Sequence, residues 1–79
     1  MLIRVPPQAT DEQARRRLQR LVVDKGEDYA GLSRLVGRAP SYLSRYVRQG
    51  TPKRLPDGER DALARYFGIA AQELGAPLS

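Results

Sequence analysis

Apolar residues recur at helical intervals along most of the chain, and no stretch shows the strict alternation of a strand. Ala14, Leu18, Leu21 and Val22 form one stripe. Thr10 stands three residues before Gln13, the spacing of a capping box, and Asp11 and Glu12 suit the positive end of a helix. The pattern predicts a first helix from about residue 10 to Lys25, stopped by Gly26. Asp28 is placed to cap a second, Tyr29 to Val36, with Leu32, Leu35 and Val36 on its apolar side and Gly37 as its stop. A third is predicted from Pro40 to Arg48, where proline at the start costs no hydrogen bond. A fourth opens at Pro56 or Asp57 and runs to Tyr66 or Phe67, with Leu63 and Phe67 as core residues. A short fifth covers about Ala70 to Leu74. The expected class is all-α: five helices in one compact domain.

The third helix has two distinct faces. Leu43, Tyr46 and Val47 lie at i, i+3 and i+4, as a core face requires. Ser41, Ser44, Arg45 and Arg48 lie at i, i+3, i+4 and i+7 on another. Charge gives the polar face weight. The chain carries 14 Lys+Arg against 9 Asp+Glu, a net charge of +5. Between Tyr29 and Pro56 stand six bases (Arg34, Arg38, Arg45, Arg48, Lys53 and Arg54) and no acid, while the rest of the chain has eight bases and nine acids. A positive field concentrated in this way favours a polyanion, most often nucleic acid or an anionic membrane surface. Its plainer reading is a solvated face that keeps the protein in solution. Arg15, Arg16, Arg17 and Arg20 read as such a face of the first helix.

With 79 residues the chain can bury one small core. There is no cysteine and no histidine, so thiolate or imidazole metal ligands are missing and so is the commonest general base. The remaining carboxylates, Ser, Lys and Tyr show no informative spacing, and neither an enzyme, a cofactor nor a metal site is expected. No apolar run approaches the ~18 residues of a membrane span, and MLIRVPPQA is unlike a signal peptide. A cytoplasmic protein is expected. Residues 1–9 read as an extended or disordered arm, 10–75 as the domain and 76–79 as a tail.

A short helix, a tight turn at Gly37 and a second helix with one apolar and one polar face follow the helix-turn-helix plan, in which the second helix enters the DNA major groove. YAGLSRLVGRAPSYLSRYVRQG followed by LARYFGIAAQEL resembles the xenobiotic-response-element-like repressors, the family of the lambdoid phage repressors and their Cro partners. The resemblance spans about residues 15–75. It is nearest to the N-terminal domains of longer repressors that carry a self-cleaving, peptidase-like second half. It implies a five-helix domain in bacterial or phage-encoded, nucleoid-associated use, with the third helix reading base edges. Matched around Gly37, it places Pro40, Ser41 and Arg45 at base-contacting positions with Ser44 beside them. It places Tyr29 and Arg48 at phosphate-contacting ones.

Three features depart from the family pattern. Arg38 stands where a small residue is usual, and as a charge that resists burial it is expected to point at phosphate. Ala39 replaces a hydroxyl cap, and the loop after the third helix is one residue longer, which leaves the register of Lys53 and Arg54 open. Arg38, Arg48, Lys53 and Arg54 are read as phosphate rather than base contacts. Tyr42 either touches the backbone or packs on the second helix. Ser41 and Ser44 suit ordinary surface positions equally well. Double-stranded DNA, as a palindromic operator bound by a homodimer, is the expected partner. Ile69, Leu74 and Leu78 either present a dimer surface or close the core. The competing function is a protein-interaction module of the same fold, an antitoxin or an adaptor. Single-stranded RNA binding lacks its aromatic platform here.

Overall fold

The computed structural model describes residues 8–77. The predicted arm, apart from residues 8 and 9, and Leu78 lie outside them. Four α-helices follow in order: α1 Asp11–Lys25, α2 Tyr29–Leu35, α3 Tyr42–Gln49 and α4 Asp57–Phe67. A single 3-10 turn, Ala71–Leu74, comes after them, and no strand occurs among the described residues. No described helix is long and apolar enough to cross a membrane.

Local chemistry sets the ends of α1 and α2. The Gln13 N–H donates to Thr10 Oγ1 (3.1 Å) and the Thr10 N–H to Gln13 Oε1 (3.0 Å), which closes the capping box. The Asp28 carboxylate accepts from the Gly31 N–H at the start of α2. The chain leaves α2 through Gly37 at φ +75°, a value that costs a residue with a Cβ.

Leu18, Val22, Leu32, Leu43, Tyr46, Leu55, Leu63, Ala64 and Leu74 form one buried cluster. α1 packs on α3 and on the 3-10 turn, α2 on α3, and α4 on the 3-10 turn. The α1 stripe is buried as the periodicity predicts. Leu74 is buried and Ile69 packs against the cluster, so these two close the core instead of forming an apolar patch for a partner.

Three predictions need correction. The fifth helix is only the 3-10 turn, too short to complete an α-turn before Gly75. α3 begins at Tyr42. Pro40 and Ser41 belong to a turn in which the Tyr42 N–H donates to the Ala39 carbonyl at 3.0 Å. Ala39 offers no cap, and Ser41, in the cap position, makes no side-chain cap bond. Leu35 is 52% exposed, and the buried partner of Leu32 is instead Ser33. Its hydroxyl donates to the Tyr29 carbonyl (2.7 Å) and accepts the Leu43 N–H (3.0 Å), which ties the start of α3 to α2. Apart from these corrections, Arg60 is buried, its guanidinium held by Asp57 (2.8 Å) and Asp61 (2.9 Å). It therefore adds nothing to the outward positive field.

Candidate nucleic-acid interface

The exposed side of α3 and the turns at its two ends carry the residues singled out in the sequence. Leu43 and Tyr46 are buried, at 0% and 2% exposure, which fixes the rotation of the helix. Pro40, Ser41, Arg45 and Arg48 are exposed as a consequence, and Ser44 is half-buried. The Ser44 hydroxyl donates to the Ser41 carbonyl at 3.0 Å. Its proton is thus spent within the helix and only its lone pairs face outward. Arg45 and Arg48 make no ion pair among the described residues, so both guanidiniums are free for a ligand.

Tyr29, at the head of α2, is half-buried and packs against the core. Burial raises its pKa, and the positive charge of Arg48 opposes the rise, which places Tyr29 and Arg48 within electrostatic reach of each other. Lys53 is exposed, and its carbonyl accepts from Arg15 Nη1 at 3.2 Å, tying the loop after α3 to α1. Arg15 is accordingly half-buried, unlike the exposed Arg16 and Arg20.

Two arginines that the sequence presents as free are paired. Arg38 Nε donates to Glu59 Oε2 at 2.6 Å, and the guanidinium lies 4.9 Å from the centre of the Tyr42 ring, a cation–π distance. Tyr42 therefore packs on the Arg38 side of α3, and its ring is a platform. Arg54 donates to both oxygens of Asp11, from Nε at 2.9 Å and from Nη2 at 3.5 Å. The hydrogen bond from Arg54 holds the Asp11 carboxyl below its usual range. Glu59 and Asp11 are the residues that sequence reasoning missed. Both sit in the first turn of a helix, where they read as partners of the helix dipole. Their separations of 21 and 43 residues from the arginines they hold hide the pairing.

Arg38, Ser41, Tyr42, Arg45 and Arg54 come together around one open groove of about 380 Å³ between α3 and the loop that follows it. Pro40, Ser44, Tyr29, Arg48 and Lys53 do not line it. Family models, curated proteins and solved structures yield no match to the chain. Ala39, Thr51, Pro52 and Pro56 complete its lining, so three arginine side chains, two of them already paired with carboxylates, border a largely apolar groove.

Tyr42 has its pKa pushed up to about 12, first by burial and then by the Glu59 carboxylate that its hydroxyl faces. A proton held more tightly in the folded state than in the unfolded one stabilises the fold below the unfolded pKa, near 10.0. That stabilisation is lost as pH rises through the folded value. Urea stability should therefore fall between about pH 10 and about pH 12, and Tyr42→Phe should flatten this fall. Tyr29, Tyr46 and Tyr66 are raised as well, so the substitution should remove one of four late tyrosinate transitions, the one near pH 12. An unchanged titration in the variant contradicts the assignment.

Proposed function

We propose that the protein is a sequence-specific, double-stranded DNA-binding transcriptional regulator of the repressor kind. In this reading α2 and α3 form a helix-turn-helix, and α3 enters the major groove. The observation that carries it is the division of α3. Leu43 and Tyr46 are fully buried, while Arg45 and Arg48 stand exposed on the opposite side with no carboxylate partner among the described residues. A helix so divided offers two long, unpaired cations to a partner and keeps its fold without them. Arg45 is the one long side chain among the four candidate base contacts. Pro40, Ser41 and Ser44 supply a ring and two hydroxyls, suited to contacts by shape and to short polar contacts. Arg48 and Lys53 reach phosphate, and Tyr29 at the head of α2 offers its hydroxyl to the same backbone. A domain of this size binds one half-site weakly, and a cytoplasmic homodimer on a palindrome, with half-sites about 34 Å apart, supplies the missing affinity.

Selection of binding sites from random duplex DNA tests the reading, and enrichment of a palindrome is the expected result. Arg45→Ala should then reduce the preference for cognate over random duplex by about 1–3 kcal/mol, the discrimination of a bidentate arginine–guanine contact. Fluorescence anisotropy with both duplexes measures this. Equal losses on the two would remove Arg45 from base reading.

A second reading, an antitoxin or adaptor of the same fold, draws on the exposed Val23, Leu35 and Tyr66. It requires an apolar hot spot, no enrichment in the selection, and binding indifferent to salt.

A further inference from the structure

We infer that Glu59 is a positioning residue for DNA binding: it holds Arg38 over Tyr42 so that the Nη groups of the guanidinium are left open to a phosphate. The inference rests on the DNA-binding reading above and assigns a function to a residue outside the helix-turn-helix segment.

The geometry separates Arg38 from the other paired arginine. Arg54 spends Nε and Nη2 on both oxygens of Asp11, so a whole edge of its fork is occupied. Arg38 gives Glu59 only its Nε, and its two Nη groups donate to no acceptor among the described residues. The centre of the Tyr42 ring lies 4.9 Å from the guanidinium carbon and Glu59 holds Nε, so two contacts from different elements position the group. The Arg38 side chain remains 46% exposed, while that of Glu59 is 14% exposed. The acid is thus sunk beneath the surface and the cation stands on it. A planar fork held at one corner, with its outer edge open, suits bidentate contact with a phosphate diester.

Glu59 is also costly where it stands. Its Oε1 is buried with no hydrogen-bond partner among the described residues. Removing Glu59 alone leaves Arg38 without its partner, but the Arg38 side chain is 46% exposed and water can replace the carboxylate there, so the loss to the fold is small. Fold stability is therefore a weak reason for a glutamate here. A carboxylate beside a DNA-binding face also repels the polyanion, so simple electrostatics makes Glu59 a handicap to binding. Positioning predicts the opposite sign, and the two are separable by measurement.

Glu59→Met removes both acceptors and raises the net charge by one. On duplex DNA carrying a selected site, the positioning role predicts two- to tenfold weaker binding, about the effect of freeing one rotamer-rich side chain. The midpoint of thermal unfolding should change little, because the pair is partly exposed. In an Arg38→Ala background the same substitution should give no loss and a slight gain, because only the repulsion remains to be removed. Arg38→Lys, which keeps the charge and loses the fork, should weaken binding comparably, and it serves should Glu59→Met fail to fold. Tighter binding of Glu59→Met in the wild-type background, or an equal loss with and without Arg38, overturns the inference. NMR separates its failure from that of the DNA reading. A wild-type protein that binds no duplex ends both the DNA reading and the phosphate role. Loss of a slowly exchanging Arg38 Nε–H in Glu59→Met then still upholds the clamp on Arg38, and no change in that signal overturns it.

Discussion

Leu43→Ala is expected to destabilise the domain by about 2–5 kcal/mol, the range for deleting a buried leucine without full collapse of the cavity. Domains of this length have a total stability of roughly 4–12 kcal/mol on the usual per-residue scale, so the variant should sit near its unfolding threshold. Leu43 is 0% exposed and belongs to the one core cluster. It also lies where α3 is fastened: its N–H is held by Ser33 Oγ, which itself donates back to α2. Ser33→Ala should leave that buried N–H without an acceptor, at about 1–3 kcal/mol. Leu35→Ala, at a site 52% exposed, should stay within about 0.5 kcal/mol. Urea unfolding followed by circular dichroism orders the three. If Leu35→Ala cost as much as Leu43→Ala, the rotation of α2 and α3 described here would be wrong, and the exposed face of α3 with it.

That contrast marks how far the fold could be read from the sequence. Periodicity reports which residues share a face, so the α1 stripe and the Leu43/Tyr46 pair emerged from it. Caps and stops act between neighbours, so Thr10, Gly26 and Asp28 were equally legible. Leu35 was not. In a seven-residue helix the apolar face is about one turn long, and whether its last residue is covered depends on elements far along the chain. The start of α3 was misplaced for a related reason. Pro40 permits a helix without requiring one, and with Ala39 ahead of it and an unbonded Ser41 hydroxyl the turn persists to Tyr42. At the candidate site, Arg45 and Arg48 were legible because helical spacing alone sends them outward. The states of Arg38 and Arg54 were not, because a stretch free of acids in sequence is not free of them in space.

The same pairing governs the expected response to salt. On a duplex carrying one half-site, affinity should fall with a log–log slope of about −2.7, from three phosphate contacts at about 0.9 each. The three are Arg48 and Lys53, which have no carboxylate partner among the described residues, and the open edge of Arg38. Raising salt from about 50 to about 200 mM should then weaken binding about fortyfold. All six bases of the acid-free stretch acting together would give about −5.4 instead. Arg54 is withheld because both oxygens of Asp11 already take its edge. Asp11→Asn weakens that hold and removes a negative charge, so it should tighten binding at low salt and steepen the slope by about one. Such surface pairs contribute little to stability, so the fold should tolerate the change. Glu59→Met should shift affinity the other way although it makes the same change in net charge, because Arg38 offers a free edge and Arg54 does not. Anisotropy titrations at several salt concentrations give both slopes. Identical slopes for wild type and Asp11→Asn would mean that Arg54 reaches phosphate despite its partner. A flat line for both would favour the protein-interaction reading over DNA.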